Sequence, residues 1–287
     1  QQARDFAKER VQGRVDGGGP EKVAIINHPD VRRMLMDIRS QTEAMRALAY
    51  DTAVQFDIAK RHTDAHTRNE AKAKLDLLTP IVKAWSTDLG VELTSTAVQI
   101  HGGMGFIEET GAAQHYRDSR IAPIYEGTNG IQSRDLMGRK VLRDGGETVR
   151  GYIEEMREYA AAAAMLDAPY SIIGENLSTA LDALANTTDW LIQNGGKSPA
   201  LAFAGADAYL DLFGKTAGGA MMARAAVAAQ SSLSNVSGNP SFYETKLTTA
   251  RFYAIHVLPK TAALASEITE GADVVLKLPE DCLLYTS

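Results

Sequence analysis

Apolar residues recur every three or four positions through most of this chain. Ala3, Phe6, Ala7 and Val11 form the first such stripe, the spacing of one face of an α-helix. A long second helix is predicted to open at Pro29, a residue suited to a first helical turn. Its apolar face carries Val31, Met34, Leu35, Ile38, Met45, Leu48, Thr52 and Phe56. The polar stretch KRHTDAHTRN interrupts the pattern. Leu75, Leu78, Ile81, Val82 and Trp85 then predict a helix over about 70–88, with Gly90 as its C-terminal stop. VELTSTAVQI predicts a shorter helix ending at the glycines of HGGMGF, and a further one covers about 110–119. Pro123 breaks the chain. A helix restarts near Thr128 and runs to about Arg143.

Alternating runs rich in β-branched residues are nearly absent, so the fold class is all-α. Two glycine-rich loops punctuate it, VDGGGPEK at 15–22 and RDGGE at 143–147. The second is the best domain boundary and divides residues 1–146 from 147–287. Beyond it, helical patterns cover about 148–167, 173–194, 199–230 and 241–269. They are broken at DAPY, QNGGKSP and SNVSGNPS. Small residues such as those of GGAMMARAAVAA let helices pack closely. This half reads as a helical bundle with no chemistry of its own.

With 287 residues, 45% of them hydrophobic, the chain has enough apolar side chains for a substantial core. Its formal net charge of -6 is not that of a nucleic-acid binder. One cysteine, Cys282, excludes an internal disulfide and points to a reducing, cytoplasmic setting. No apolar run is long enough to span a bilayer. The N-terminus has no signal-peptide apolar region and opens inside an amphipathic helix, as a piece of a longer protein would.

Candidate chemistry is sparse. A Rossmann turn needs a strand before its glycines, whereas a helical pattern precedes HGGMGF. Those glycines either stop a helix or let backbone approach a ligand closely. His62 and His66 have helical i,i+4 spacing, but HTDAH lacks a zincin glutamate and a third ligand, so no metal is expected. Arg117 and Arg120 alternate with Asp118 as a surface cluster does. Glu126, in RIAPIYEGTNGIQ, follows the apolar run Ile121, Ala122, Pro123, Ile124 and Tyr125. That run predicts a partly buried approach. Thr128 or Asn129 can cap the next helix. Burial and a helix N-terminus pull in opposite directions on a carboxylate's proton affinity. A carboxylate so placed can serve as a general base. By local pattern alone, a solvated loop glutamate is an equal reading.

The run from Gln99 to Leu142 resembles the C-terminal helical domain of acyl-CoA dehydrogenases. The family's QxxGGxG turn, RDxxI segment and IYEGT motif stand in order here, as QIHGGMG, RDSRI and IYEGT. Ala3 to Gly13 resembles the start of the same domain. The alanine-rich half resembles the extra helical domain of a larger subgroup that includes 3-methylmercaptopropionyl-CoA dehydrogenases. The chain departs from the common pattern at RVQG, NHPDV and NGIQ.

The resemblance implies a function. Glu126 would remove the α-proton of an acyl-CoA thioester while the β-hydrogen leaves as hydride to FAD, giving the trans-2-enoyl-CoA. Tyr125 and Gly127 would lie against the substrate. Thr128, Arg10, Gln99, Gly102 and Gly103 would contact FAD, several of them on a neighbouring subunit's flavin. Implied partners are the acyl-CoA, an electron-transfer flavoprotein and further copies in a homodimer or homotetramer. Whole dehydrogenases also have an N-terminal helical domain and a central β-domain, so the chain is expected to be inactive alone. The other readings are a non-catalytic helical scaffold and a flavin-binding relative with weak dehydrogenase activity.

Overall fold

A computed structural model of the chain describes residues 1–15, 19–235 and 238–283. Parts of VDGGGPEK and SNVSGNPS, and the last residues of EDCLLYTS, therefore lie outside the described residues. Twelve α-helices follow one another among those described. They are α1 Gln2–Glu9, α2 Pro29–Arg61, α3 Ala65–His101, α4 Gly103–Phe106, α5 Ala112–Arg120 and α6 Asn129–Asp135. After a π-helical segment at Leu136–Leu142 come α7 Glu147–Ala164, α8 Ile172–Gly195 and α9 Pro199–Ala204. The last three are α10 Ala206–Ser234, α11 Pro240–His256 and α12 Lys260–Val275. Among the described residues the β pairing amounts to an isolated bridge between Val11 and Ala24. The chain is all-α, as its apolar spacing predicts.

Several boundaries differ from the sequence reading. Gly90 does not stop a helix: α3 runs through it from Ala65 to His101. A glycine costs only about 1 kcal/mol inside a helix, and Leu89 and Leu93 on either side of it are buried. The polar stretch before α3 is a cap rather than a long loop. Asp64 accepts the Thr67 backbone N–H at 2.7 Å, and that bond holds its carboxyl below the usual range. His62 ends up as the residue closing α2 and His66 lies in α3, paired with Glu70. They do not share one helix face. The pattern over 199–230 is two helices meeting at Gly205, and that over 241–269 breaks between His256 and Lys260, where Pro259 cannot continue α11. Phe56 is 45% exposed beneath the Lys60 ammonium and takes no part in the core.

The two halves named from the sequence share one core. A continuous set of buried side chains runs from Ala44 and Leu48 through Leu78, Ile81 and Trp85 to Phe213, Tyr253 and Ile268. Trp85 of α3 lies flat on α10, where a side chain at Gly214 would stand 2.3 Å from its Cγ. Lys74 of α3 pairs with Glu155 of α7 at 2.7 Å, and Arg224 of α10 with Asp51 of α2 at 2.8 Å. This packing joins α3 to helices of the alanine-rich half.

Beside Trp85, a cleft of about 160 Å³ between α3 and α10 is lined by Asp88, Glu92, Asp207 and Asp211. Burial pushes the Asp88 and Glu92 carboxyls above the ordinary carboxylate range. The fold thus favours their protonated forms. Stability falls as pH rises from the unfolded carboxylate pKa through these raised values, and the loss is complete above them. Asp88→Asn is expected to raise the thermal midpoint at neutral pH and to leave it unchanged near about pH 3, where both states are protonated. A midpoint lowered at neutral pH would show that the ionised form is needed.

Candidate active site

Glu126 sits in a short connection between α5 and α6. Its backbone φ is +54°, which makes it the single non-glycine residue with positive φ among those described. That region is crowded for any residue with a Cβ. Gly127 follows at φ +85°, so the chain makes a tight left-handed turn around the carboxylate. Among the described residues the Glu126 side chain has no hydrogen-bond or ion-pair partner, and it is exposed.

The predicted apolar approach is not buried in this chain. Pro123 is buried, but Ile121 is 54% exposed, Ile124 50% and Tyr125 51%. The reason is directional. Pro123 turns inward so that its carbonyl accepts the Asn129 N–H at 2.9 Å, and the residues after it swing outward. With Ile131, also exposed, they leave apolar side chains open beside a carboxylate. A surface of this kind is made to be covered.

Thr128 occupies the position before α6 without capping it by its side chain. Its Oγ1 donates instead to the Pro123 carbonyl at 3.3 Å. Asn129 does not cap either. It is buried at 6% exposure, and its Nδ2 donates to Thr87 Oγ1 at 2.9 Å and the Ala84 carbonyl at 3.1 Å. Lys83 completes the support, donating to the Gly127 carbonyl at 3.0 Å and to Asn129 Oδ1 at 2.7 Å. Lys83 and Thr87 carry no sequence signal beyond helical spacing, and only the fold brings them to the turn.

The remaining candidates gather elsewhere. α1 packs on the end of α3, with Ala3, Ala7 and Ile100 buried together and the Phe6 ring 4.7 Å from that of His101. Arg10, just after α1, is exposed, with Gln12 as its side-chain partner at 3.3 Å. Gln99, Gly102 and Gly103 are exposed at the same end. Gly102 has φ +59°, and a side chain built at it or at Gly103 would meet open space. The glycine turn both closes α3 and leaves bare backbone accessible. Gly105 is tighter, because a Cβ there would stand 2.4 Å from the Val98 carbonyl oxygen. Lys83 and Gln99 lie on the same helix, separated by roughly 24 Å at the rise of an α-helix. The structure therefore sorts the candidates into two groups. Tyr125, Glu126, Gly127 and Thr128 stand near the middle of α3. Arg10, Gln99, Gly102 and Gly103 stand at its end.

Residues 1–142 match the model of the acyl-CoA dehydrogenase C-terminal domain. Residues 152–279 match that of the acetyl-CoA dehydrogenase C-terminal-like domain. The chain is 44% identical over 277 residues to 3-methylmercaptopropionyl-CoA dehydrogenase of Ruegeria pomeroyi, covering 96% of this chain and 47% of that protein. It is 31% identical over 296 residues to a butyryl-CoA dehydrogenase of Syntrophomonas wolfei, covering 98% and 47%. The chain thus spans about half the length of the curated relatives it matches. A solved acyl-CoA dehydrogenase complexed with FAD from Bacillus anthracis has the same fold, with a TM-score of 0.69 at 18% identity, covering 97% of this chain and 45% of that one.

Proposed function

The chain belongs to the acyl-CoA dehydrogenase family, and from that premise we propose that it provides the base of an FAD-dependent α,β-dehydrogenation of an acyl-CoA thioester. The observation that carries the reading is the Glu126 backbone at φ +54°. A strained non-glycine residue persists where its surroundings hold it for a use. A non-catalytic helical scaffold has no use for a strained, unpaired carboxylate.

Glu126 takes the α-proton at its carboxylate. Tyr125 and Gly127 border the thioester, the glycine allowing close contact. Bound FAD supplies the hydride acceptor for the β-hydrogen, so the product is the trans-2-enoyl-CoA. Electron-transfer flavoprotein would be the electron acceptor. Thr128 would help to hold the flavin beside Glu126. The end of α3 fits a dinucleotide: Arg10 presents an exposed guanidinium of the kind that forks onto phosphate oxygens, and Gly102 and Gly103 offer bare backbone with open space before it. The separation of the two groups along α3 favours a homodimer or homotetramer, in which one chain's Arg10 and Gln99 serve a neighbour's flavin. In this chain alone nothing shields Glu126 from water, so we expect it to be inactive without the remaining parts of the enzyme. A cytoplasmic location belongs to the same proposal. Among the described residues no helix is long and apolar enough to cross a membrane. We keep the division into residues 1–146 and 147–287 as two sequence units packed on one shared core.

The test uses the FAD-loaded enzyme that carries this chain. Straight-chain and branched acyl-CoA thioesters are added without oxygen, and flavin absorbance is followed. Bleaching by at least one thioester is the expected result. No bleaching with any of them would bring the scaffold reading forward. Arg10→Ala is expected to weaken FAD retention about 10- to 100-fold, the worth of one charge-assisted hydrogen bond. Flavin release followed by fluorescence measures it, and unchanged retention would remove Arg10 from the flavin site.

A further inference from the structure

Lys83 stands behind the Glu126 turn, half-buried on α3. Its ammonium grips two neutral oxygens, the Gly127 carbonyl at 3.0 Å and Asn129 Oδ1 at 2.7 Å. Hydrogen bonds from an ionised donor are roughly twice as strong as neutral ones. Asn129 cannot yield, because Thr87 and the Ala84 carbonyl hold its other atoms. Lys83, Ala84 and Thr87 belong to adjoining turns of α3, flanking Trp85, which is 1% exposed in the core. The turn is thus tied to a stretch of α3 packed into the core. Asp88, on the same stretch of α3, interacts electrostatically with Lys83, yet the ammonium's hydrogen bonds go to the turn.

The consequence for the turn is geometric. Across a trans peptide the C=O and the next N–H point in opposite directions. With the Gly127 carbonyl drawn toward Lys83 of α3, the Thr128 N–H is directed away from that helix. The φ of +54° at Glu126 and +85° at Gly127 accompany that peptide orientation. Without the ammonium, the Gly127–Thr128 peptide loses a restraint, and the turn that carries Glu126 is freer to change its backbone conformation.

We propose that Lys83 is a positioning residue that holds the Glu126–Gly127–Thr128 turn in its strained form. Its catalytic consequence rests on the reading of Glu126 as the base; the clamp on the turn does not.

Lys83→Met and Lys83→Arg test this in the FAD-loaded enzyme, beside Glu126→Gln. Met keeps the stem without the donors, and Arg restores a charged donor. The first readout is amide hydrogen exchange over residues 124–132 without thioester. The second is the anaerobic bleaching rate against the concentration of whichever straight-chain acyl-CoA reduces the wild type fastest. Lys83→Met is expected to speed exchange over the turn. It is also expected to lower the saturating bleaching rate about 10- to 100-fold, the effect of misplacing a reacting group by about 1 Å. The half-saturating concentration should change less than about three-fold, because ground-state binding is not what is lost. Lys83→Arg should recover slow exchange and much of the rate. Wild-type exchange in Lys83→Met would overturn the clamp, as would an Arg variant no better than Met. A rate that falls only as bound flavin falls would overturn its catalytic consequence. If Glu126→Gln bleaches like wild type while Lys83→Met still speeds exchange, the base assignment falls and the clamp stands.

Discussion

Glu126→Gln should keep its FAD and lose about 10²- to 10⁴-fold in the rate of flavin bleaching by acyl-CoA, the range for removing a general base. The substitution changes one oxygen for an amide nitrogen and leaves size and backbone demand alike, so the turn should persist. What the substitution removes is the proposed acceptor for the α-proton. A second substitution separates strain from chemistry. Glu126→Gly adopts φ +54° freely. It should therefore stabilise the protein by about 1 kcal/mol, the lower end of what such a residue stores, while losing the same activity. Thermal midpoints and single-turnover bleaching, measured on both variants, check the pair. Equal bleaching in Glu126→Gln and wild type would remove Glu126 as the base. A Gly variant less stable than wild type would show that the glutamate side chain has a structural partner in the whole enzyme.

The largest effect on stability is expected at Trp85. It is 1% exposed, and its ring fills the space left by Gly214 and Gly218 of α10. Trp85→Ala should cost about 3–5 kcal/mol, the usual loss for a buried aromatic side chain. Because the ring bridges α3 to the alanine-rich helices, both halves should lose stability together in one transition. Gly214→Ala should cost about 1–3 kcal/mol by overpacking, since its Cβ would lie 2.3 Å from Trp85 Cγ. The two penalties should not add. With the indole gone, the alanine methyl has room, so Gly214→Ala in the Trp85→Ala background should be nearly free of cost. Chemical denaturation of the four proteins measures this. Additive losses would show that Trp85 and Gly214 do not compete for the same space.

The sequence by itself determined the all-α class, because helical spacing of apolar residues is a local signal that survives without partners. It also determined the family, because QIHGGMG, RDSRI and IYEGT are contiguous motifs read directly from the chain. It placed helix starts where the chemistry is local, as at Pro29. It failed where packing outweighs local preference. Gly90 looked like a stop, yet buried neighbours on both sides carry α3 through it. Glu126 looked partly buried because apolar residues precede it, yet only the path of the chain decides which way Ile121, Ile124 and Tyr125 point. Likewise, nothing in the sequence shows that Glu126 is held at positive φ. The contacts around that turn come from Pro123, from Asn129 buried against α3, and from an ammonium about forty residues upstream. The tertiary structure decided the site's geometry because the contacts that fix it are between residues distant in sequence, and periodicity carries no information about those.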